Sequence, residues 1–148
     1  MKRDWQNIIF TSEYLAVMEI KKAFEENELN EVELGLDELA NDMARKERRA
    51  LFSQLVRLMM HIIKWEIQPH RRSGSWALTV VYARQEIEDI CEDMPSLTRE
   101  YIESIWDKAF NRAKVNAKTE TGIKTVAVEK LSWEDVFEKE YQLPLKED

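Results

Sequence analysis

The chain is short of residues that break, cross-link or ligate. Three glycines and three prolines in 148 residues leave few places where a helix must end. One cysteine, Cys91, excludes an intrachain disulfide and fits a reducing compartment. The two histidines, His61 and His70, stand nine apart with Pro69 between them, so they are no i, i+4 ligand pair. A di-iron bundle would need a glutamate three residues before each histidine, where Leu58 and Ile67 stand instead. No metal and no cofactor is expected. No apolar run approaches the ~20 residues that span a bilayer. The stretch Met1-Lys2-Arg3-Asp4-Trp5 carries no apolar signal core. A cytoplasmic protein without a membrane segment is therefore expected. The glycine-rich spacing and Lys-Ser/Thr pair of a phosphate-binding loop are missing, as is a Gly-x-Ser-x-Gly elbow.

What is present reads as helix. Hydrophobic residues make up 44% and charged residues 34%, a globular balance. A chain of this length buries enough surface to fold as one domain, 1–148, without a staple. An all-α bundle of five to six helices is expected.

The first helix is predicted from Thr11 or Ser12 to Asn27, with Asn27 as a left-handed cap. Tyr14, Val17, Met18, Ile20 and Phe24 share half of its wheel, interrupted by Lys21. Residues 32–67 form the next helical region. A straight helix of that length would be about 54 Å long. A compact domain of this size is only about 40 Å across. Either the region breaks around residues 44–46 or the protein is elongated or oligomeric, and a break is the favoured expectation.

Residues 47–67 are the predicted central helix. Leu51, Leu55, Leu58, Met59, Ile62, Ile63 and their neighbours cover more than half of its circumference. Ser53, Gln54, Arg57, His61 and Lys64 leave one polar strip. Such a helix is buried on most sides, by other helices of the chain or by a second subunit. Pro69 ends it. Ser75 is the expected N-cap of the next helix, whose face carries Trp76, Val80, Ala83, Ile87, Ile90, Cys91 and Met94. Cys91 on that face reads as core. After Pro95 a further helix runs from Leu97 to about Lys118 and stops at Gly122. Residues 123–128 read as an extended connector. Ser132 with Asp135 makes a capping box, and Leu131 with Val136 a hydrophobic staple, at the start of the last helix. Residues 146–148 read as a frayed tail.

Charge is unevenly spread. Residues 45–72 carry eight basic side chains against Glu47 and Glu66, a net of +6, while the whole chain is −7. The remainder is therefore −13, which argues against nucleic-acid binding by the surface as a whole but leaves a local basic site open. Arg71 and Arg72 precede Ser73-Gly74-Ser75 at a helix start, where free N–H groups and guanidinium charge can hold an anion. The same arginines can instead pair with carboxylates, or stack on Trp65 and Trp76. The candidate anion or ligand site comprises His61, Lys64, Trp65, Gln68, Arg71, Arg72, Ser73, Ser75 and Trp76. No catalytic residue stands out.

The runs Glu47-Arg48-Arg49-Ala50-Leu51, His61-Ile62-Ile63-Lys64-Trp65, Gln68-Pro69-His70-Arg71-Arg72-Ser73 and Ser75-Trp76 resemble the domain of unknown function 29 family. Weaker similarity continues through residues 93–97, 117–122 and Leu143-Pro144. The resemblance implies a bacterial, all-helical, cytoplasmic protein with no known catalytic residues. Isoleucines replace the common leucines after His61, and Gly74 stands where an arginine is common.

Three functions follow as expectations. The first is a non-enzymatic protein-interaction or self-association module, such as a homodimer. The second is a phosphate or nucleic-acid binder using residues 45–72. The third is an enzyme with a pocket around His61.

Overall fold

The computed structural model describes residues 1–146; Glu147 and Asp148 of the expected tail lie outside them. The fold is all-α. Its helices are α1 (Trp5–Thr11), α2 (Glu13–Glu25), α3 (Leu29–Ile67), α4 (Gly74–Asp93), α5 (Arg99–Ser104), α6 (Trp106–Thr121) and α7 (Trp133–Phe137), with a 3₁₀ turn at Pro69–Arg71. Among the described residues the expected five to six helices are seven. The chain divides into two compact units, Met1–Arg48 and Arg49–Asp148.

In the first unit, Asp4 caps α1 by accepting a hydrogen bond from the Asn7 N–H. This short helix went unrecognised in the sequence because seven residues carry little periodicity. Ser12, extended at φ −167°, then caps α2 through the Leu15 N–H. Asn27, with φ 59°, turns the chain back as expected, and the Glu28 N–H closes onto the Ala23 carbonyl. Arg3 holds this turn together. Its side chain is almost wholly covered and contacts Glu19 at 3.0 Å, together with Glu28 and Glu26. Its backbone N–H donates to Glu31, and the Glu28 carboxylate, followed by Glu19, holds the guanidinium pKa above its usual value.

The predicted break at residues 44–46 is absent: α3 is continuous over 39 residues. The compact-domain length argument assumed one set of neighbours for the whole helix. Its first half belongs with α1 and α2, and its second half with the helices that follow.

In the second unit, α3 supplies the centre. Leu51, Leu55, Leu58, Met59, Ile62 and Ile63 have no accessible surface. Val80, Ala83, Ile87 and Ile90 of α4 close on them, with Ile102 of α5 and Ala109, Phe110, Ala113 and Ala117 of α6. The near all-round apolar helix is thus covered by the chain's own helices. The helix predicted from Leu97 is two helices, meeting at Ile105. There the Ser104 hydroxyl donates to the Tyr101 carbonyl, and the Ile105 N–H closes a tight turn onto Ile102. Gly122, at φ 73°, ends α6 in the left-handed conformation that suits glycine. The segment after it is neither helix nor strand and bends at residues 124–125, with Val126 buried. The capping box at Ser132 and Asp135 is complete, and Leu131 and Val136 are both buried in the same core.

Candidate functional site

The turn between α3 and α4 holds most of the predicted site residues. Lys64 lies in the last turn of α3, yet its side chain is buried. Its ammonium sits 3.0 Å from the Glu120 carboxylate of α6 and 4.5 Å from the Trp76 ring centroid. Burying an ammonium requires such a partner, and Glu120 had no signal in the sequence to mark it. Arg72 donates from Nε to the Trp65 carbonyl at 2.8 Å, while its guanidinium lies 5.1 Å from the Trp65 ring. That carbonyl is one of the helix-terminal acceptors of α3. Gln68 is buried beside them in sequence.

Ser73, not Ser75, caps α4. It is extended, with φ −140°, and its hydroxyl accepts from the Trp76 N–H. The helix begins at Gly74, so Ser75 falls inside its first turn, where its side chain cannot serve as the N-cap. Ser75, His70 and Arg71 are exposed, and none makes a side-chain hydrogen bond among the described residues. His61 is half-buried. Its Nδ1 contacts the Arg57 carbonyl at 2.9 Å, on its own helix. Burial lowers the imidazole pKa; the hydrogen bond to the Arg57 carbonyl opposes this in part, and the charges of Lys64 and Arg57 add smaller downward pushes. The turn therefore joins Lys64 with Trp76, and Arg72 with Trp65. His61, Arg71 and Ser75 stand outside these pairs.

Two features of this unit escaped sequence reasoning. Arg84 of α4 clamps the end of α7, donating from Nε to the Val136 carbonyl and from Nη2 to the Lys139 carbonyl, each at 2.7 Å. Nearby, a cleft of about 600 Å³ is lined by Glu66, Thr125, Lys130, Asp135, Lys139 and Tyr141. The Tyr141 hydroxyl donates to the Asp135 carbonyl, and burial raises its pKa. Among the described residues, no group of three or more His, Cys, Asp or Glu side chains is arranged to hold a metal ion. Among the described residues, no helix is long and apolar enough to cross a membrane.

The first unit departs most from expectation. Of the apolar wheel face predicted for α2, only Ile20 is buried; Tyr14, Val17, Met18 and Phe24 are 41–70% exposed. The buried positions are instead Ala16, Ile20 and Ala23. On the first half of α3, Leu29, Leu36 and Met43 are also at least half exposed. Eleven of the seventeen exposed large hydrophobic residues among the described residues fall within Met1–Arg48. Its basic residues Arg45 and Lys46 both pair with Asp42, and Lys46 also with Glu13.

No curated protein and no solved structure matches the chain. Residues 11–142 match the family described as domain of unknown function DUF29. That span takes in all of α2 and every later helix, including the junction at Gln68, and so the chain belongs to the DUF29 family, an all-helical family of uncharacterised role.

Proposed function

We propose that the chain is a non-catalytic interaction module that binds other protein through the open face of its first unit. The observation that carries this reading is the exposure of Tyr14, Val17, Phe24, Leu29, Leu36 and Met43 on two neighbouring helices. Single exposed apolar residues are ordinary, whereas a contiguous set on one unit marks a contact surface. The central helix no longer calls for an outside partner, because α4, α5 and α6 already bury it. Three polar groups that an anion site at the turn would use already have protein partners: Lys64, Arg72 and Ser73.

Site-specific photocrosslinking in intact cells tests this. A benzophenone side chain placed at Leu36 yields a protein adduct, while the same group at exposed Tyr82 of the second unit yields none. No adduct at position 36, or equal adducts at both positions, overturns the reading.

A further inference from the structure

We infer that the occupant of this face is a second copy of the chain, and that the two α2–α3 hairpins join as a four-helix bundle. The inference rests on the interaction reading and names its partner.

The apolar residues follow a heptad. On α3, Leu29, Val32, Leu36, Leu39 and Met43 alternate steps of three and four residues, as the a and d positions of a bundle seam do. On α2, Tyr14, Val17, Lys21 and Phe24 follow the same alternation. In this frame Ile20 and Gly35 occupy equivalent g positions, and they meet inside the hairpin. Glu13 reaches Lys46 while Ile20 reaches Gly35, so the two helices run antiparallel.

That register decides which way the seams face. Turning about 100° in the same sense from the Ile20–Gly35 contact crosses the a and d positions of either helix. For antiparallel helices this rotation leads to the same side of the pair. Turning the other way meets buried Ala16 and Ala23, on the side where Trp5 of α1 packs against Gly35. One side of the hairpin is therefore covered by α1, and the side carrying both seams is open.

Size and charge fit a second copy. Of the six most exposed seam residues, 50–70% exposed, Tyr14 and Phe24 alone offer on the order of 250 Å² at roughly 150–250 Å² per aromatic side chain, and Val17, Leu29, Leu36 and Met43 add to it. A standard interface takes about 800 Å² from each partner. Lys21 lies in the α2 seam with Lys22 beside it, and Glu33 and Asp37 flank the α3 seam; all four are exposed. None of the four forms an ion pair among the described residues. When the two-fold axis runs along the bundle, α2 of each copy meets α3 of the other and each lysine pair faces an acidic pair; an axis across the helices would set like charges together. Lys21 at a seam position also fixes register, as a polar residue there does in coiled coils.

Sedimentation equilibrium of the full chain and its charge variants tests the assignment. The native chain is dimeric. The variant Lys21→Glu/Lys22→Glu and the variant Glu33→Lys/Asp37→Lys each place like charges across the interface and each weaken the dimer about tenfold or more. Mixing these two variants restores a heterodimer, and combining all four changes in one chain restores the homodimer. This recovery excludes misfolding as the cause of the weakened association. Any of three results overturns the assignment: a monomeric native chain at about 100 µM, charge variants that dimerise as the native chain does, or a mixture that stays monomeric. A monomeric native chain that still crosslinks to a different protein at position 36 overturns the second copy and leaves the interaction reading standing.

Discussion

Gly35 of α3 has no room for a side chain because of Ile20 on α2: a Cβ there would sit 2.7 Å from Ile20 Cγ1 and 2.9 Å from the Trp5 ring. The glycine is not needed for its backbone, which is ordinary helix. It is needed for the close approach of two helices and an indole.

Gly35→Ala therefore destabilises the first unit, although alanine is the better helix former. Overpacking against a rigid indole costs about 1–3 kcal/mol and outweighs a propensity gain of about 1 kcal/mol. Urea denaturation followed by far-UV circular dichroism shows a net loss. A stabilised variant contradicts the packing.

The two serines at the start of α4 behave differently. Ser73→Ala removes the hydroxyl that accepts from the Trp76 N–H and costs about 1 kcal/mol. Ser75→Ala leaves stability within about 0.5 kcal/mol. Paired thermal melts distinguish the two, and equal losses would refute the cap assignment.

The Lys64–Glu120 pair is asymmetric. Lys64 is buried, while the Glu120 side chain is 53% exposed. Lys64→Met exchanges a buried ammonium for an apolar side chain of similar length and is close to neutral. Glu120→Gln leaves the ammonium buried without its carboxylate. Solvent screening at the exposed carboxylate keeps the loss near 1 kcal/mol. Chemical denaturation of both variants checks the order.

His61 adds a pH dependence of definite sign. Burial holds its folded-state pKa below the usual ~6.5, so the unfolded chain binds the proton more readily. Its contribution is fully present above about pH 6.5 and is lost as pH falls through the folded value. His61→Gln removes this part of the slope. Denaturation midpoints of native and variant protein between pH 7.5 and 5 give the difference, and parallel curves refute it.

The sequence was most legible where local chemistry decides structure. Asn27, Gly122 and the Ser132–Asp135 box act at single positions, and the core of the second unit follows helical periodicity. The apolar face of α2 was equally visible, but periodicity does not say what covers it. Within this chain, only the small residues Ala16 and Ala23 flanking Ile20 are covered on that helix. The Lys64–Glu120 contact spans 56 residues of sequence, and the Arg72–Trp65 contact depends on the 3₁₀ turn between them. The first has no one-dimensional signature; of the second, the stacking of Arg72 on Trp65 was among the sequence's readings, but its hydrogen bond to the Trp65 carbonyl was not. Small features at helix ends, such as the Asp4 cap of α1, are legible only once the helix is known.

The claim that the open α2–α3 face is an interface between copies is tested most directly by the solution mass of the native chain beside Leu36→Glu. The account predicts about twice 17.6 kDa for the native protein and a single 17.6 kDa chain for the variant, with helical content unchanged. A native monomer, or a variant that still dimerises, would contradict it.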